Sequence, residues 1–196
     1  MKNYIVFCIC CCVLLSCKEN DTMDNPFLGL DEAAPSIEGK KEYLNSPFVT
    51  AGNRVYMVGH QDGSFPELGW HIKGEMGGIW NHPIKLMDGF QVSIDIDNVQ
   101  HVLDSADSFV NYPFANKQIY ALSDQQLTIT RWQFVPDDTE GVAVIFEVSN
   151  TSDSSKQCDF SFLGHSDLRP TWLGERTNMV DAPDLPRYHE EINGWI

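Results

Sequence analysis

The densest group of chemically capable side chains runs from Gly69 to Phe90, in the order Gly-Trp-His-Ile-Lys-Gly-Glu-Met-Gly-Gly-Ile-Trp-Asn-His-Pro-Ile-Lys-Leu-Met-Asp-Gly-Phe. Trp70 and Trp80 carry flat apolar faces that stack on the C–H faces of a sugar ring. His71, Glu75 and His82 carry hydrogen-bonding groups for sugar hydroxyls. A few polar groups set among aromatic rings is the usual make-up of a small-molecule site. Glycines at 74, 77 and 78 allow positive φ and close approach of backbones. A second such stretch, Phe162 to Arg176, adds Trp172 beside His165, Asp167 and Arg169. The plainer alternative is that these are long connections whose tryptophans plug a core.

Other constellations point to less. Asp95 and Asp97 lie two apart on a strand, on one face, with Asn98 next to them. They are either a carboxylate pair, a calcium site, or the wet face of a strand, and the last is the ordinary outcome. His60, His71 and His82 have no metal-ligand spacing, and His-Glu-x-x-His is absent. No metal or cofactor is expected. Asp167 and Arg169, at a strand end, read as an ion pair that orders the turn at Pro170. Nucleophile-elbow, phosphate-loop and dinucleotide motifs are missing.

The N-terminus carries a different chemistry. Lys2 is followed by an apolar run from Ile5 to Leu15 and then by Ser16-Cys17-Lys18-Glu19. The run is too short for the roughly 20 residues that span a bilayer and has the order of an export signal. Val13-Leu14-Leu15-Ser16-Cys17 resembles the bacterial lipobox, in which the cysteine thiolate takes the lipid. The resemblance implies a signal peptide over 1–16, lipidation of Cys17, and attachment to a membrane through acyl chains. The acidic Lys18-Glu19-Asn20-Asp21 resembles a signal that carries lipoproteins to the outer membrane and the cell surface. Four of the six cysteines leave with the signal, and Cys158 remains as a small apolar residue in a strand.

Charge narrows the partners. Thirteen Lys and Arg against 28 Asp and Glu give a net charge of −15, and loss of Lys2 makes the mature chain more negative still. This argues against nucleic acid and against an anionic lipid surface. Residues 17–42 are polar and interrupted by Pro26, Gly29, Pro35 and Gly39, which predicts a flexible lipid-anchored tether.

From residue 43 to 196 the pattern is β. Strands are predicted at Arg54–Gly59, at Ile84–Met87 before an Asp88-Gly89 turn, and at Phe90–Asp97. In the last, Phe90, Val92, Ile94 and Ile96 alternate onto one face. Three further strands, at Gln126–Val135, Val142–Asn150 and Cys158–Leu163, are joined by short polar turns and predict a meander. Val99–Ser108 is the one weak helical candidate. Together these give an all-β chain, an antiparallel β-sandwich. The final residues, ending in Trp195 and Ile196, read as the approach to a further strand, so the sandwich is expected to be incomplete at the C-terminus.

The stretches 69–90 and 162–176 resemble the N-terminal domain of bacterial six-hairpin glycosidases, the glycogen-debranching-like and family 63-like enzymes. The resemblance spans about residues 43–196. It implies a super-sandwich of the galactose-mutarotase type, preceding an (α/α)6 catalytic barrel, and an oligo- or polysaccharide partner. It also implies that the catalytic acid and base belong to the barrel, which this chain lacks. Hydrolysis needs two carboxyl groups about 5 to 10 Å apart across the bond, and no catalytic residue is carried over. The expected function is thus the non-catalytic sandwich of an α-glycoside hydrolase. A free-standing surface protein that binds glycans is the first alternative. A mutarotase-like enzyme, pairing His71 or His165 with Glu75 or Asp167, is the second. Carbohydrate contact is expected from Trp70, His71, Glu75, Trp80, His82 and Trp172.

Overall fold

Phe90, Val92, Ile94 and Ile96 are 5%, 2%, 0% and 0% exposed. The period-2 face read from the sequence is the centre of the core. A computed structural model describes residues 33–69, 74–171, 178 and 180–196. The signal segment, Cys17, Trp70, His71 and Trp172 lie outside these residues.

The strands are β1 (Ile37–Glu38), β2 (Pro47–Ala51), β3 (Tyr56–His60), β4 (Gly78–Asn81), β5 (Ile84–Ile96), β6 (Val99–Val102), β7 (Ser108–Asn111), β8 (Ala115–Leu122), β9 (Leu127–Phe134), β10 (Ala143–Asn150), β11 (Cys158–Pro170), β12 (Tyr188–His189) and β13 (Gly194–Trp195). One sheet has the order β1-β7-β8-β9-β10, the other β11-β5-β4-β3-β2 with β6 also on β5, and β12-β13 is a small hairpin. All pairs are antiparallel. The chain is an all-β antiparallel sandwich whose sheets are not closed. Its apolar core draws Met57, Ile79 and Ile94 from one sheet and Phe109, Tyr120 and Ile129 from the other.

The structure redraws several boundaries. Residues 37–39, placed in the tether by composition, belong to the sandwich. Ile37 and Glu38 pair with Asn111 and Val110, and the Gly39 amide donates to the Phe109 carbonyl at 2.8 Å. Backbone pairing there outweighs the polar, glycine-containing sequence. Asp88-Gly89 is no turn: β5 runs straight through it, with Gly89 at φ +140° and a register shift opposite His165 and Ser166. It is a bulge, which bends a strand without ending it. Val99–Val102 is a strand, joined to β5 by a tight turn at Asp97 (φ 51°) and Asn98 (φ 64°). Two consecutive positive φ values define the type I′ hairpin that suits twisted strands. These angles give Asp97 and Asn98 a turn role.

The predicted meander breaks after its second strand. β9 and β10 pair, but residues 151–157 carry the chain across to the other sheet, where β11 pairs with β5. The alternation in β9 also holds a surprise. Leu127 and Ile129 face inward, and so do Arg131 and Gln133, both 0% exposed. They join a polar layer with Asn116, Gln118 and Thr50. Gln133 Nε2 donates to Asn116 Oδ1 (2.8 Å) and Gln118 Oε1 (3.0 Å), and Asn116 Nδ2 donates across to Thr50 Oγ1 of the opposite sheet (2.5 Å). Arg131 donates to the Gly63 carbonyl at 2.9 Å and lies over the Phe90 ring at 5.2 Å. Burial lowers its pKa, though a guanidinium stays charged in proteins.

Candidate functional site

Pairing of β5 with β11 decides the site, because it aligns the two unusual stretches. Lys85 lies opposite Arg169, Ile84 opposite Pro170, and Met87 opposite Ser166. Two cations at facing positions on adjacent strands repel unless anions separate them. Asp167 does this. Its Oδ2 is 2.7 Å from Lys85 Nζ and 3.1 Å from Arg169 Nε. Lys85 Nζ also donates to the Gly74 carbonyl at 2.9 Å and forms a short ion pair with Asp88.

The burial is steep. The Lys85 side chain is 0% exposed, Arg169 9%, Asp167 13% and Asp88 45%. A buried ammonium with three acceptors is fully satisfied, and Asp167 serves as counter-ion to two cations at once. Gly74 brings its carbonyl to Lys85 from the Trp/His/Gly stretch, at φ +74°. Gly78 closes that stretch at φ +91°, where an added Cβ would stand 2.1 Å from the Met87 carbonyl oxygen. Gly77 is not among the positive-φ glycines. Gly74 and Gly78 thus take the positive φ, and Gly77, whose added Cβ would stand 3.1 Å from the Pro66 carbonyl oxygen, gives the close backbone approach.

Trp80 is 2% exposed, its Nε1 donates to the Gly77 carbonyl at 2.9 Å, and its ring stacks on Tyr56 at a centroid distance of 6.3 Å. It is buried outside the sandwich's apolar core cluster, with Lys85 Nζ 5.9 Å from its ring, and it has no open face for a sugar. His82 is exposed, next to a cis His82–Pro83 bond. Glu75 is half-buried and already engaged in an interaction. The expected ion pair of Asp167 with Arg169 is present. Lys85 and Asp88 were missed. The available signal was a single lysine inside the apolar run Ile84 to Met87.

Next to the cluster are two small cavities. One, of about 190 Å³, is lined by Phe65, Pro66, Glu67, Gly74, Asp88 and His165 among others. Its neighbour, of about 230 Å³, shares Phe65, Pro66 and His165 and reaches Gln91 and Asp104. Their walls combine two phenylalanine rings, carboxylates and an imidazole. Among the described residues no group of three or more His, Cys, Asp or Glu is placed to hold a metal, and no helix is long and apolar enough to cross a membrane. Cys158 is a free thiol, half-buried against the core.

Such a cleft can hold a polar ring against Phe65. For Asp167 to act as a general base it would have to give up two cations. No protein-family model matches the chain, and neither a characterised protein nor a solved structure is significantly similar to it.

Proposed function

We propose that this chain is a non-catalytic β-sandwich that serves α-glycoside processing in the bacterial cell envelope, of the kind that accompanies an (α/α)6 catalytic barrel. One observation carries the reading. The β5–β11 register joins the two stretches that suggested it, and the join is an ion-pair cluster. Asp167 and Asp88 are committed to Lys85 and Arg169, so these carboxylates hold the fold and do not attack a bond. The lipid on Cys17 places the domain on the outer membrane, facing arriving glycan. The cleft at Phe65, Asp88 and His165 supplies modest glycan contact.

The test uses the mature chain from Cys17 onward, made without lipid. In affinity electrophoresis through gels containing amylopectin it should be retarded relative to gels without glucan. It should release no reducing ends from maltoheptaose. Unchanged mobility in every α-glucan gel would remove the carbohydrate reading. Hydrolysis or anomer exchange by the isolated chain would show that an enzyme had been mistaken for an accessory domain.

A further inference from the structure

Among the described residues, the inward face of β11 is only partly covered at Phe160 and Phe162, which touch Phe146 and Phe90. Phe160 pairs with Ile94, and Phe162 with Val92. Directly opposed residues share a face, so both rings point the same way as the core residues Ile94 and Val92. Yet Phe160 is 44% exposed and Phe162 is 61% exposed, while Ile94 and Val92 are 0% and 2%. The facing sheet shows the same defect. Val148 of β10 pairs with the buried Ile129 but is 42% exposed. Between the two edges lies an apolar groove of about 360 Å³, walled by Val92, Phe146, Val148, Phe160 and Phe162.

The groove is bordered by unpaired backbone. β10 and β11 are each the last strand of their sheets, so alternate N–H and C=O groups on their outer edges have no strand partner among the described residues. A groove between two free edges, with apolar side chains at every second position, matches an added strand. Charge says what kind. Asp159 lies directly opposite Asp95, a like-charge pair that costs stability. A strand next to β11 with a Lys or Arg beside Asp159 relieves it. A second copy would instead bring another net charge of −15 to this edge.

We infer that the free edge of β11 receives a β-strand from another polypeptide, with apolar side chains alternating toward Phe160 and Phe162 and a basic residue next to Asp159. The inference does not depend on the carbohydrate reading.

The probe is a short, fluorescently labelled peptide of alternating valine and threonine carrying one lysine in register with Asp159. It is titrated against the unlipidated mature chain and followed by anisotropy. Two control peptides carry N-methyl groups on alternate amides, or glutamate in place of lysine. The parent peptide should bind at least about ten-fold more tightly than the N-methylated one, because pairing supplies the affinity. It should also beat the glutamate peptide by several-fold. Phe162→Ser should weaken it by at least about five-fold. If that variant fails to fold by circular dichroism, Asp159→Asn replaces it and should erase the preference for lysine over glutamate. Equal binding of all peptides, or no binding, overturns the inference. So does a stable dimer by ultracentrifugation that Phe162→Ser dissociates, since the second copy is then the occupant.

Discussion

Replacing Asp167 with alanine should be among the most damaging single changes outside the apolar core, and its cost can be worked from the cluster. Asp167 is 13% exposed and bridges Lys85 (2.7 Å) and Arg169 (3.1 Å). Removing one member of a buried ion pair costs roughly 3–5 kcal/mol, because a buried charge is stranded. Here the low end applies, about 3 kcal/mol, since Lys85 keeps Asp88 and the Gly74 carbonyl. Lys85→Met is the informative contrast. The methionine stem fills the same volume, Asp167 keeps Arg169, and Asp88, 45% exposed, turns to water. No charge is stranded, so the cost should stay below about 2 kcal/mol. Asp88→Ala removes a largely solvated partner and should cost about 1 kcal/mol or less. Urea unfolding followed by tryptophan fluorescence reads all three, with Trp80 seated beside Lys85. For Asp167→Ala the midpoint should fall by about 1–2 M, from an m-value of about 2 kcal/mol/M. A Lys85→Met variant less stable than Asp167→Ala would refute the reasoning. So would equal effects of Asp167→Ala and Asp88→Ala.

Three other outcomes are expected. Tyr120 is 3% exposed and burial pushes its pKa from 10.0 up to about 12. A raised pKa means that the folded state disfavours the phenolate, so the contribution is whole below pH 10 and is lost as pH climbs toward 12. The loss is about 2–3 kcal/mol, and Tyr120→Phe should flatten the alkaline limb of a denaturation-versus-pH curve. Gly78→Ala places a Cβ 2.1 Å from a backbone oxygen at φ +91° and should cost more than about 2 kcal/mol by thermal melting. Cys17→Ser should abolish labelling by radioactive palmitate in cells and release the chain from the membrane fraction.

Legibility in the sequence followed the scale of the physics. Phe90 to Ile96 was readable because burying alternate side chains imposes a period of two on one strand. Arg131 and Gln133 were not, because nothing in a strand's own pattern says that the opposite sheet will offer Asn116, Gln118 and a Gly63 carbonyl. The Asp88-Gly89 bulge was misread as a turn since both use the same residue types, and only the partner β11 distinguishes them. The meander failed at residues 151–157 for a like reason: polar spacers of that length fit a hairpin or a crossing between sheets. In the site, Asp167 and Arg169 were visible as neighbours in sequence. Lys85, 82 residues away from Asp167, was visible only as a lysine out of place.

β11 is two strands in one. Toward Pro170 it is ionic: Asp167 (13% exposed) and Arg169 (9%) are largely buried and neutralised within the chain, while Leu168 between them is 59% exposed. From Cys158 to Leu163 it is apolar and open, and its needs are met from outside. Phe162 and Asp167 are five residues apart, roughly 16 Å along an extended strand, and share no contact partner in the cluster. Changes that far apart are expected to add within about 0.5 kcal/mol. Phe162→Ser alone should cost only about 1 kcal/mol, since the ring is 61% exposed and loses chiefly its stacking on Phe90 at 5.1 Å. The double variant with Asp167→Ala should therefore fall about 4 kcal/mol below the parent. A coupling energy well above 0.5 kcal/mol would mean that the open half already shares in the fold's cooperativity. The groove would then be a settled surface of this domain, not a place held for a strand.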